Sequence, residues 1–155
     1  MKRIINCKFN SIFRCVDMLC LNIGKDIKNK DGKIFPEFSF HIQTQWRFVR
    51  NGEILLASRD IYIPYNREID ESGWEYDVIG RPDDESSIFD VVKKSFDKQF
   101  SDAVVKEIDI SPLGDLKIIF SNGIYFETFT PSMRKDEFWR FLSVYDKEHL
   151  VVFDV

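Results

Sequence analysis

Residues 38–48 alternate almost without a break, with Phe38, Phe40, Ile42, Thr44, Trp46 and Phe48 on one face and Ser39, His41, Gln43, Gln45 and Arg47 on the other. A period of two is the signature of a strand with one face in a core, and no helix tolerates it. Asn51-Gly52 follows. That pair supplies the positive-φ positions of a tight hairpin turn, so a hairpin is predicted over residues 38–63. Counting outward from a two-residue loop sets Phe48 opposite Leu55, Trp46 opposite Ala57, Ile42 opposite Ile61 and Phe40 opposite Ile63. Thr44 facing Arg59 interrupts the apolar side, which predicts a bulge near Ser58-Arg59-Asp60.

A chain of 155 residues fits one domain, 1–155, with a core of useful size. Fifteen Phe favour strands in that core over helices. Residues 18–23 read as a strand ending before Gly24, and 25–33 as a charged turn or hairpin tip. Phe89, Val92, Phe96 and Phe100 mark one helical stripe over 86–100, with Ser87 and Asp90 spaced as an N-terminal cap. Residues 104–110 read as a strand.

A second hairpin is predicted over 115–129. A three-residue loop at Ser121-Asn122-Gly123 gathers Leu116, Ile118, Phe120, Ile124, Phe126 and Thr128 on one face and opposes Lys117 to Glu127. Residues 137–142 fit a helical turn or a strand, and 149–153 a strand. The expected fold is α+β: a mainly antiparallel sheet, curved or partly closed into a barrel, with one main helix packed on it.

Cys7, Cys15 and Cys20 show neither Cys-x-x-Cys spacing nor a nearby histidine, so no disulfide framework, metal site or cofactor is expected. Met1-Lys2-Arg3 precedes two apolar residues, too few for a signal-peptide core, and a cytoplasmic protein without a membrane span is expected. The net charge of −4 argues against general nucleic-acid binding. Between 67 and 85, however, eight acids stand against two arginines, a local −6 that leaves the rest of the chain at +2.

Several short stretches follow one another along the chain: Asp17-Met-Leu19, His41-Ile-Gln43, Trp46-Arg47-Phe48, Ser58-Arg-Asp-Ile-Tyr62, Gly114-Asp-Leu116, Phe120-Ser-Asn-Gly123 and Phe138-Trp-Arg-Phe141. In these the chain resembles a family of small bacterial single-domain proteins to which no activity is assigned. The resemblance therefore implies no catalytic residues. Thr44-Gln45 stands where a Cys-Pro-like pair is expected in relatives, which removes a reactive thiol from that place.

Two surfaces compete for function. In the acidic segment, Asp70, Glu71, Trp74, Glu75, Tyr76 and Asp77 combine aromatic anchors with charge, a composition suited to a basic protein partner such as the toxin domain met by an immunity protein. The bland alternative is a lid packed on its own domain. The polar hairpin face, with His41, Arg47, Asp60 and Tyr62, suits a small polar ligand. His41, Ser58 and Asp60 could supply a nucleophile set, but no glycine-rich turn or helix N-terminus offers an oxyanion hole. An Arg47–Asp60 pair is the simpler expectation for that face.

Overall fold

A computed structural model describes residues 1–78, 80–134, 136–146 and 150–151. Its strands are β1 (Phe9–Cys15), β2 (Met18–Lys28), β3 (Ile34–Ile42), β4 (Gln45–Arg50) and β5 (Glu53–Ala57). Helix α1 (Ile88–Phe96) follows a long connection. Then come β6 (Val105–Ile110), β7 (Leu116–Phe120), β8 (Tyr125–Phe129), β9 (Trp139–Ser143) and β10 (Leu150–Val151).

The strands form two antiparallel five-stranded sheets, in the orders β1-β2-β3-β9-β10 and β5-β4-β8-β7-β6. They meet at one corner, where residues ahead of β1 bond to the start of β6: the Asn6 amide donates to Val105 O at 2.8 Å and the Val105 amide to Cys7 O at 2.9 Å.

The predicted 38–63 hairpin is two structures joined end to end. β3 lies in the first sheet between β2 and β9, and β4 lies in the second between β5 and β8. The chain crosses at Gln43-Thr44, where the Gln43 amide donates to Phe138 O at 2.8 Å and the Thr44 hydroxyl to Phe129 O at 2.6 Å. Alternation survives the crossing because both strands present their apolar face to the same core. Phe38, Phe40, Ile42, Trp46 and Phe48 are all buried.

The turn itself is as expected, with Asn51 and Gly52 at φ of 53° and 79°. The register is corrected by a bulge at Leu55: Phe48 faces Leu56 and Arg47 faces Ala57. The irregularity at Ser58-Arg59-Asp60 is a one-turn 3-10 helix, Ser58–Ile61, and the expected Ile42–Ile61 and Phe40–Ile63 pairs do not form.

The second hairpin has the predicted register. Lys117 faces Glu127, Ile118 faces Phe126, and Gly123 has φ 83°. The ion pair expected between Lys117 and Glu127 is replaced by two other contacts. Arg47 holds Glu127 at 2.7 Å, and the Lys117 ammonium sits 4.6 Å from the Tyr125 ring centre.

Helix α1 begins at Ser87, whose hydroxyl accepts the Asp90 amide at 3.1 Å. Its stripe covers the inner face of the second sheet, with Phe89 edge-on to Trp46 and Phe96 edge-on to Phe48. Phe100 stacks on Phe9 of the first sheet, closing the core between the layers. Residues 139–143 are a strand. Of the strand expected over 149–153, Leu150–Val151 is β10 and the rest lies outside the described residues.

Candidate functional site: the fastened acidic segment

The chain leaves the 3-10 turn after Ile61 and returns to α1 through a loop whose base is clipped shut. The Ile88 amide donates to Ile63 O at 2.9 Å and the Tyr65 amide to Ser86 O at 2.8 Å, with Pro64 bridging Ser87. Pro64 is thereby buried, and the 66–85 excursion starts and ends at one point.

Arg14 of β1 and Lys94 of α1 both reach the excursion, Lys94 through Asp83, and Arg14 makes the more buried attachment. The Arg14 side chain, only 11% exposed, donates through Nη2 to Asp90 Oδ2 at 2.7 Å and to the Tyr76 carbonyl at 2.9 Å. Its Nε bonds Asp90 Oδ1 at 2.9 Å, and Asp77 stands 3.7 Å away. Burial pushes the Asp90 carboxyl up, but the Arg14 hydrogen bonds and charge, aided by Ser87 and Lys93, outweigh it and leave it below the usual carboxylate range. Arg14 is held above its ordinary value by the same Asp90 bond, against its own burial. A planar fork that engages a carboxylate twice and two carbonyls, those of Tyr76 and of Val16 (from Nη1, 2.6 Å), suits arginine rather than lysine.

Both aromatics of the segment are half-buried, Tyr76 against the core and Trp74 against the segment itself. Tyr76 lies edge-on to Tyr62 at 4.7 Å, and the Trp74 indole N–H donates to Glu85 O at 3.0 Å beneath the Arg81 guanidinium. The acids point outward: Asp70, Glu71, Glu75 and Asp77 are exposed. Asp70 caps the short turn Glu71–Gly73 by accepting the Ser72 amide at 3.0 Å, and that bond lowers its carboxyl. Among the described residues, only Asp77 and Asp83 of the eight acids in 67–85 enter ion pairs, with Arg14 and Lys94. Tyr76 thus packs against the core, while the carboxylates of Asp70, Glu71 and Glu75 are exposed. Val78 is exposed, and Ile79 lies outside the described residues.

The four residues expected on the polar hairpin face are not brought together. His41 is on the outer side of β3, opposite Cys20 and Arg140. Arg47, on β4, holds Glu127 and lies 4.8 Å from the Phe129 ring centre. Asp60 turns back to accept the Ala57 amide at 2.8 Å rather than meeting Arg47, and burial raises its carboxyl despite that bond. Tyr62 joins the other site: its hydroxyl donates to Asp17 at 3.0 Å, and it is pushed up to about 12, first by burial and then by Asp17. Ser58 Oγ accepts the Trp46 amide at 3.4 Å, and His41 lies on β3 in the other sheet.

Among the described residues, no group of three or more His, Cys, Asp or Glu side chains converges to hold a metal ion, and no helix is long and apolar enough to cross a membrane. No protein-family model matches the chain, and neither curated proteins nor solved structures give a significant match.

Proposed function

We propose that this is a non-enzymatic binding protein that presents its 66–85 segment to a basic protein, in the manner of a bacterial immunity protein meeting the toxin domain it neutralises. The observation carrying this reading is the combination of exposed carboxylates with a fastened backbone. Asp70, Glu71 and Glu75 face solvent on a loop whose ends are clipped together and whose middle is tied to the core by Arg14. A loop ordered before the partner arrives avoids much of the entropy cost of binding. A local charge of −6 steers a cationic partner and speeds association.

The experiment is co-expression with the product of the adjacent gene. Rescue of growth by the wild-type chain, and loss of rescue when Asp70, Glu71 and Glu75 are changed to lysine, is the expected result. A neighbouring product that is neither toxic nor bound by this protein would refute the reading.

A further inference from the structure

We propose that the tip of the β2–β3 hairpin is a basic arm that docks the protein on an anionic lipid surface, independently of the partner met by the acidic segment. The pairing of β1 with β2 ends at Phe9–Ile23, and that of β9 with β3 at Ser143–Phe38. The last backbone bonds from outside are at the arm's base, where the Gly24 amide donates to Lys8 O at 2.8 Å and the Val144 amide to Glu37 O at 3.2 Å. Beyond them, among the described residues, β2 and β3 pair only with each other: Asp26 with Pro36, Ile27 with Phe35 and Lys28 with Ile34. Residues 25–36 therefore project past the sheet as a two-stranded ribbon. Its tip is ordered, since the Asn29 side chain accepts the Asp31 and Lys33 amides at 3.0 and 2.9 Å and Gly32 turns the chain at φ 81°.

The arm carries Lys25, Lys28, Lys30 and Lys33 against Asp26 and Asp31, a local +2. All four lysines are exposed, and among the described residues none of them enters an ion pair. Two acids are drawn to the base: Asp26 accepts from Asn10 at 3.0 Å, and Glu37 accepts the Lys25 amide at 3.2 Å and the Tyr145 hydroxyl at 2.8 Å. Asp31 alone then opposes Lys28, Lys30 and Lys33 at the free end. The net charge of −4 does not cancel them, because its source lies at the other end of the sheet. Arg14, which fastens the acidic segment, faces Leu19 at one end of β2, and Lys28 is the other end. At ~3.3 Å per residue they stand about 30 Å apart, several times the screening length of ~8 Å at physiological salt.

The apolar side chains of the arm select a lipid surface over other polyanions. Ile34 and Phe35 are 65% and 45% exposed, and as neighbours on one strand they point to opposite faces of the ribbon. An acidic protein docked on one face leaves the other side chain in water. The groove of a nucleic acid encloses both faces, but largely with phosphates and polar base edges. A headgroup layer entered end-on covers both side chains with apolar contact and sets the lysines among lipid phosphates and carboxylates. Entry stops at that layer, because the ribbon's outer edges carry backbone groups that no neighbouring strand satisfies. The acidic segment, at the far end of the sheet, stays clear of the like-charged surface.

The test is co-sedimentation of the full-length protein with vesicles of equal parts phosphatidylserine and phosphatidylcholine, beside vesicles of phosphatidylcholine alone. Saturable binding to the anionic vesicles and at least tenfold weaker binding to the neutral ones are expected. Binding should weaken at least fivefold in the Lys28→Gln, Lys30→Gln, Lys33→Gln variant and in Ile34→Ser, Phe35→Ser, and it should tighten in Asp31→Asn. No binding to anionic vesicles, equal binding to neutral ones, or binding undiminished in either folded multiple variant would overturn the proposal. If neither multiple variant folds, Asp31→Asn decides, and binding no tighter than the wild type's would overturn it. Binding of a DNA duplex that is lost in the lysine variant, without binding to vesicles, would overturn it in favour of a nucleic acid.

Discussion

Arg14 and Asp90 meet at 2.7 Å between the end of β1 and the first turn of α1, and the same guanidinium holds the carbonyl of Tyr76. One side chain thus joins the first sheet, the helix and the acidic segment.

Replacing Arg14 with methionine keeps much of its volume and removes all of these bonds. Breaking a buried pair is expensive, but Asp90 is a third exposed and partly screened, so the loss is expected to be about 2 kcal/mol by urea unfolding. Hydrogen exchange should show the larger effect locally, with amides around Tyr76 exchanging faster while those of β7 and β8 keep their protection. Uniform loss of protection would show that Arg14 supports the whole fold rather than the segment.

Asp90 and Asp60 should give opposite pH dependences. Asp90 is held below its ordinary value, so its contribution is present above the unfolded value of about 4 and fades as pH falls through the folded one. Asp60 is raised by burial, so it costs stability as pH climbs from about 4 through its folded value. Asp90→Asn should therefore be destabilised at pH 7 and approach the wild type near pH 2. Asp60→Asn, which keeps an acceptor for Ala57, should gain on the wild type between pH 4 and pH 7. Thermal unfolding across that range reads both slopes.

Gly24 sits at φ 87° against the side chain of Glu37, and a Cβ there would come within 2.6 Å of Glu37 Oε2 and 2.8 Å of Glu37 Cβ. Both strain and overlap oppose any side chain. Gly24→Ala is expected to cost about 2 kcal/mol, against a near-neutral Gly73→Ala, whose Cβ would meet nothing within 4 Å. Paired denaturation curves make the comparison.

Two of the three thiols, Cys15 and Cys20, should separate cleanly by reactivity. Cys15 is exposed, whereas Cys20 is 2% exposed and pushed up to about 11, by burial first and by neighbouring Cys15 second. Mass spectrometry after brief maleimide treatment at neutral pH should find Cys15 modified and Cys20 untouched until denaturant is added. Early labelling of Cys20 would contradict its placement.

Local pattern carried much of the fold. The three-residue turn at Gly123 fixed the β7–β8 register, and Ser87 with Asp90 marked the start of the helix, because those signals are short-range chemistry. The passage from β3 to β4 was illegible for a physical reason: two strands in different sheets that share a core show the same alternation as one long strand. The bulge at Leu55 was hidden likewise, since it shifts the partner by one without altering the apolar pattern of β4. The candidate site was half legible. Its charge stood out as a run of acids, but its fastener is Arg14, one of many isolated cations in the sequence, and only tertiary structure brings it to Asp90 and Tyr76.

Docking of a basic partner on the fastened acidic segment has a direct thermodynamic readout. The most direct measurement is calorimetric affinity for the adjacent gene's product, for the wild type and for the Asp70→Lys, Glu71→Lys, Glu75→Lys variant, at low and at physiological salt. At least tenfold weaker binding and a flatter salt dependence are expected for the variant, with the fold unchanged by circular dichroism. Equal affinity and equal salt dependence for the two proteins would contradict it.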